Sequence, residues 1–172
     1  INNVIVSCLP KDSSVNFSHG GGTQIGHGWA NNYSTNKFIG YIDRFNVEKG
    51  YSTESVIDIP AIHLPLKFDA SNLGFANLTI NSVGNPTYTT VEGRKCIKFE
   101  QGKYLTINSN NIFNLGTNSD FYIEFDFMLD GTSTTDRYLL SPVAVWSSSK
   151  RITYLFVRNS TNKLVFQTGN KS

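Results

Sequence analysis

Glu124 and Asp126, two apart in Phe121-Tyr122-Ile123-Glu124-Phe125-Asp126-Phe127-Met128-Leu129, are the residues of this chain best spaced for chemistry. Alternation along a strand puts both carboxyls on one face. A Glu-x-Asp-x-(x)-Glu series on such a strand would supply the nucleophile, its helper and the acid/base of glycoside cleavage. Retention needs the two working carboxyls about 5–5.5 Å apart. Here Met128 and Leu129 stand where the third carboxylate belongs. The pair lacks its acid/base partner, so the expectation is solvated strand-face carboxylates, no catalytic residue and no enzyme.

Other constellations fall short in the same way. His19-Gly20-Gly21-Gly22 has the composition of an oxyanion loop, but no Gly-x-Ser-x-Gly elbow accompanies it. No Gly-Lys-Ser/Thr follows to make a phosphate loop, so a flexible turn between strands is expected. His19, His27 and His63 share no ligand-like spacing. Asp43, Asp69 and Asp120 offer hard oxygens for calcium. No dense Asp-x-Asp-x-Asp loop exists, so neither a metal site nor a cofactor is assigned. Cys8 and Cys96 read as two reduced, buried thiols, with a single disulfide between them as the alternative.

A binding site has one better candidate. In Gly26-His27-Gly28-Trp29-Ala30-Asn31-Asn32-Tyr33 the glycines leave Trp29 on a mobile, exposed loop beside Asn31, Asn32 and Tyr33. An aromatic platform with amide hydrogen bonds holds a sugar ring well. The other reading is a Trp packed over the end of the fold. Trp146, alternating with Val143 and Val145, reads as core or sheet surface.

Charge narrows the partners. Charged residues make up 16% of the 172, against roughly 25% in ordinary globular domains. Asn, Ser, Thr and Gly take their place, as in secreted binding modules and fibre proteins. The net charge is +2 and the basic residues are scattered, which argues against nucleic acid. Arg94, Lys95 and Lys98 form the densest basic group, expected to be a solvated strand end. No apolar stretch reaches the ~18 residues of a membrane span. Ile1 at the start and Asn170-Lys171-Ser172 at the end read as the limits of an excised or processed piece.

The elements that must position these residues are strands. Alternation recurs at Val4–Leu9, Phe38–Phe45, Lys95–Glu100, Tyr104–Ile107, Ile152–Val157 and Lys163–Gln167. His19–Gly22, Gly84-Asn85-Pro86, Asn108–Asn111, Gly116–Asp120 and Asn159–Asn162 break the runs. Helical periodicity is missing, so the expected fold class is an all-β, antiparallel β-sandwich or jelly roll. Ser55–Leu66 carries Pro60 and Pro65, neither able to donate to a central ladder, and reads as a linker or crossover.

Phe38-Ile39-Gly40-Tyr41-Ile42-Asp43-Arg44-Phe45-Asn46-Val47-Glu48-Lys49-Gly50 resembles the closing strands of laminin-G-like, concanavalin A-like sandwiches of the kind found in bacteriophage tail and fibre proteins. Leu66-Lys67-Phe68-Asp69, Lys98-Phe99 and Gly102–Thr106 resemble that fold's opening strands. Phe113–Gly116 with Asp120–Phe125, then Arg137–Ser141 and Lys163–Phe166, are similar to those that follow. The family's ending, 1–58, thus precedes its beginning, 66–172, across a proline-containing linker at 59–65. The middle, with its Trp strand and Val-Asn-Gly hairpin, is missing.

Two arrangements fit this order. One is a cut across two consecutive repeats; the other is a circularly permuted sandwich whose parts close on each other. The first is expected, because an incomplete sheet would expose an edge. The resemblance implies a virion or extracellular module that attaches to a host-surface glycan or to other virion proteins, with a homo-trimer as its assembly. An adhesion module of a cellular surface protein is the alternative, and a glycoside hydrolase is disfavoured by the absent carboxylate.

Overall fold

The structure is a computed structural model that describes residues 2–8, 15–16, 22–28, 38–49, 62–64, 78–108, 113–116, 121–131, 133–142 and 152–169. Fourteen strands are found among them: β1 (Asn2–Cys8), β2 (Val15–Asn16), β3 (Gly22–Ile25), β4 (Gly40–Lys49), β5 (Ile62–Leu64), β6 (Ile80–Val83) and β7 (Thr87–Val91); then β8 (Arg94–Phe99), β9 (Tyr104–Asn108), β10 (Asn114–Gly116), β11 (Phe121–Leu129), β12 (Arg137–Pro142), β13 (Ile152–Arg158) and β14 (Lys163–Gly169).

The strands form two six-stranded antiparallel sheets that pack as a sandwich, not a closed barrel. The first runs β1-β11-β4-β8-β7, with β5 also paired to β4; the second runs β14-β13-β12-β3-β9-β6. A short β2–β10 pair stands apart. Residues on both sides of the 59–65 segment supply strands to both sheets: β1 and β4 flank β11, and β3 lies between β12 and β9. The two parts of the chain therefore close on each other in one pair of sheets. β5 lies inside the proline segment expected to be a linker, with His63 opposite Asn46 on β4. Three of the four residues between Pro60 and Pro65, Ile62–Leu64, form this short ladder.

The core follows the alternation. Ile123, Phe125 and Phe127 of β11 face inward with Ile42, Phe45 and Val47 of β4 and Ile97 and Phe99 of β8. Ile25, Leu105, Ile107, Leu140, Leu155 and Val157 meet them from the second sheet. Phe38 wedges its ring edge-on between Phe99 and Phe127, at centroid distances of 6.1 and 6.3 Å. Such edge-to-face pairs add to the benefit of area burial.

Of the flexible turn expected at His19–Gly22 only Gly22 lies among the described residues, and the glycines that precede Trp29 take part in this packing. Gly22 opens β3, and Gly26 to Gly28 are buried. Gly26 has φ +85°, and a Cβ there would stand 2.5 Å from Cδ1 of Phe99. Its amide donates to the Leu139 carbonyl at 2.9 Å, and its own carbonyl accepts from the Phe38 amide at 3.0 Å. Glycine is used here for close approach and a left-handed backbone, and no mobility follows from it.

One irregularity shapes the surface. In the β4–β11 ladder Arg44 pairs with Asp126 and Ile42 with Phe127, leaving Asp43 as an extra residue. This is a β-bulge. Ile42 and Phe45 keep their places in the core, so Asp43 and Arg44 are both available to the outer face.

Candidate functional site

The outer face of the first sheet collects the charged residues. β11 contributes Glu124 and Asp126, the β4 bulge contributes Asp43 and Arg44, and Asn46 follows on β4. Arg94, at the start of β8, reaches over from the β7–β8 hairpin. Nη2 of Arg94 lies 2.5 Å from an oxygen of Asp43 and 2.5 Å from one of Asp126. Nη2 of Arg44 donates to Glu124 at 2.6 Å and lies 3.6 Å from Asp126. The side-chain amide of Asn46 donates to the second oxygen of Glu124 at 2.9 Å.

Asp126 is not solvated, contrary to expectation, while Glu124 keeps partial exposure at 19%. The Asp126 side chain is 3% exposed and that of Asp43 8%. The physical reason is the bulge, which sets two residues where one belongs and brings guanidinium groups from two strands over the pair. The hydrogen bond to Asp126, reinforced by Asp43, raises the Arg94 guanidinium above its ordinary value against the opposing effect of burial. Arg94 is thus the half-exposed strand end that was expected and, in addition, an ion-pair partner. Lys98 is paired too, 3.3 Å from Glu100 and 3.4 Å from Asp130. Bonds to Lys103 first and Lys98 second hold Glu100 below the usual carboxylate range.

The chemistry open to such a site is limited. A general acid needs a proton to give and a nucleophile needs an accessible lone pair. Glu124 and one oxygen of Asp126 are engaged by arginines, and the other Asp126 oxygen is buried without a hydrogen-bond partner. Asp43, a calcium candidate in the sequence, is bound to Arg94; Asp69 and Asp120 lie outside the described residues. Among the described residues no group of three or more His, Cys, Asp or Glu side chains is set to hold a metal.

No family model matches the chain. Nor does any curated protein or solved structure.

The residues themselves remain the only guide to the site. Trp29, Asn31, Asn32 and Tyr33, the predicted sugar platform, lie outside the described residues, as does Trp146. Their neighbour His27 does not lie on an exposed loop: it is 1% exposed, with its ring 4.5 Å from that of Tyr104. The Ser141 hydroxyl donates to its carbonyl at 2.6 Å.

Cys96 is buried and free. Burial, with Asp43 adding to it, pushes its thiol up. Cys8 on β1 is separated from β8 by β11 and β4, three strand spacings or about 14 Å. A disulfide needs Cα atoms closer than about 7 Å, so the two cysteines are not bridged.

The second sheet carries an aromatic cluster that sequence reading missed. Tyr138 of β12 stacks on Phe156 of β13 at 5.0 Å and 19°, and meets Tyr154 edge-on at 5.6 Å. The Arg158 guanidinium lies 5.7 Å from the Phe156 ring centroid. Burial pushes the Tyr154 phenol up to about 12, with Tyr138 adding to it. Alternation in Ile152–Val157 carries the signal for Tyr154 and Phe156. Tyr138 joins them only through the β12–β13 register.

Proposed function

We propose that this chain is a non-enzymatic structural or carbohydrate/receptor-binding module of a phage tail, fibre or other virion appendage. The observation that carries the reading is the engagement of Glu124 and Asp126 by Arg44 and Arg94, which leaves the best-spaced carboxylates unable to act as a free acid/base pair. A sandwich whose core is filled by large aromatics and whose outer faces hold an ionic network and an aromatic cluster suits presentation of a surface. The low charge and the abundance of Asn, Ser, Thr and Gly support a virion or extracellular setting. Host-surface glycans or other virion proteins are the partners this reading names.

Two measurements test it. Glycan-array binding by the wild type and by Trp29→Ala is expected to show recognition that the variant loses. Equal binding removes Trp29 from the site, and no binding by either removes the glycan. Release of reducing sugar from a polysaccharide panel would overturn the non-enzymatic reading.

A further inference from the structure

β6 is the outermost strand of the second sheet, paired with β9 alone among the described residues. One contact sets its bonding pattern. The Asn108 amide donates to the Thr79 carbonyl at 3.2 Å, so Thr79 and Asn108 face each other as a hydrogen-bonded pair. Every second pair along the ladder repeats this, Asn81 with Thr106 and Val83 with Tyr104. Ile80 and Ser82 alternate with them, so their N–H and C=O groups point away from β9 to the open side of the sheet. Thr79, Asn81, Ser82, Gly84 and Asn85 are all exposed.

Open edges are ordinarily guarded by charge, proline or a bulge. β6 has none of these: no Asp, Glu, Lys or Arg occurs between Leu78 and Val91, the strand holds no proline, and its register with β9 is unbroken. β14, the opposite edge of the same sheet, begins instead at exposed Lys163. We propose that β6 is the seam of a two-fold homodimer, paired antiparallel with β6 of a second copy. With the axis beside Asn81, Ile80 of each copy faces Ser82 of the other. The two open N–H and two open C=O groups of each copy then close four hydrogen bonds. Thr79 meets Val83 across the seam, a pairing of β-branched side chains, and no charges oppose. A charged strand would find no counter-charge here, whereas a second copy matches this edge in length, polarity and lack of charge. β7, the edge of the first sheet, follows directly after Gly84-Asn85-Pro86 and is equally uncharged, so both sheets end unguarded on this side.

Sedimentation velocity over a wide range of protein concentration tests the seam. Two four-residue strands make a smaller contact than a standard interface, so the wild type is expected to dimerise with Kd on the order of 10–100 µM. Ser82→Pro removes an outward N–H from each copy without touching a bond to β9. It should weaken association on the order of tenfold or more. Asn81→Lys and Asn81→Asp each set like charges against each other at the axis and should weaken it several-fold. Mixed in equal amounts, the Lys and Asp variants should associate more tightly than either alone. The two Asn81 variants should melt within about 2 °C of the wild-type monomer, because Asn81 is exposed and gives up only a 3.5 Å bond to Oδ1 of Asn108.

A wild type that stays monomeric at every concentration overturns the second copy as occupant and leaves the edge to an extended segment of another protein. Trimers, or dimers that the Asn81 variants form as tightly as the wild type, overturn β6 as the seam. A Lys–Asp mixture no tighter than its components overturns the two-fold register at Asn81.

Discussion

Asp43 and Asp126 share one nitrogen: Nη2 of Arg94 lies 2.5 Å from a carboxylate oxygen of each. Two nearly buried like charges are thereby held together, and the arrangement fails if the guanidinium is lost. Arg94→Met is expected to destabilise the fold by roughly 2–4 kcal/mol at neutral pH, somewhat under the full value for a buried pair because Arg94 is half exposed. Adding Asp43→Asn and Asp126→Asn should recover much of that loss. Urea unfolding of the single, double and triple variants checks both, and an additive triple variant would refute the coupling.

Two glycines separate conformational from steric cost. Gly93 has φ +78° in the two-residue β7–β8 turn, and a Cβ there would meet nothing within 4 Å. Gly93→Ala should therefore cost only the left-handed penalty, about 1–2 kcal/mol. Gly26→Ala adds a clash with the buried Phe99 ring and should cost more, roughly 3 kcal/mol or above. Equal losses in chemical denaturation would contradict the packing described for Gly26.

Alkali should weaken the fold through Tyr154. Its folded pKa is raised to about 12, against an ordinary value of 10.0. The neutral phenol is favoured in the folded state, so the contribution is full below pH ~10 and is lost as pH rises towards ~12. Spectrophotometric titration of the native protein should show a phenol ionising later than in the unfolded chain. Tyr154→Phe should flatten the fall in stability over that window.

Cys96 should be inert in the folded protein. Its thiol is buried, and its thiolate is disfavoured by burial and by Asp43. In a Cys8→Ser background, labelling by a thiol reagent is expected to be slower than in denaturant by on the order of a hundredfold or more. Prompt modification of the native chain would contradict this placement.

Much of the fold was legible because strands with one buried face alternate in sequence. Phe121–Leu129 shows this best: Ile123, Phe125 and Phe127 form the centre of the core, Leu129 packs against it, and the strand's observed limits are those the pattern marks. The Gly84-Asn85-Pro86 break separates β6 from β7, and Asn159–Asn162 closes the β13–β14 hairpin. What alternation does not carry is register. Asp43 and Arg44 read as ordinary strand residues until the partner strand shows that one of them is extra. The Arg94 bridge, the burial of Asp126 and the Tyr138–Phe156 stack all depend on such long-range pairing. Gly26 and Gly28 are hard to read for a related reason: glycine composition signals freedom, whereas both are packed.

Both sheets mix early and late strands, and this has a kinetic consequence. Val4 pairs with Phe125, and Thr23 with Pro142. Neither β1 nor β3 meets these partners until more than a hundred further residues have been made. Proteins dominated by such distant pairings fold slowly, and their unpaired strands stay adhesive meanwhile. For this chain, the interval between synthesis of the early strands and of their late partners is the period of greatest exposure to aggregation, and slowing translation would lengthen it.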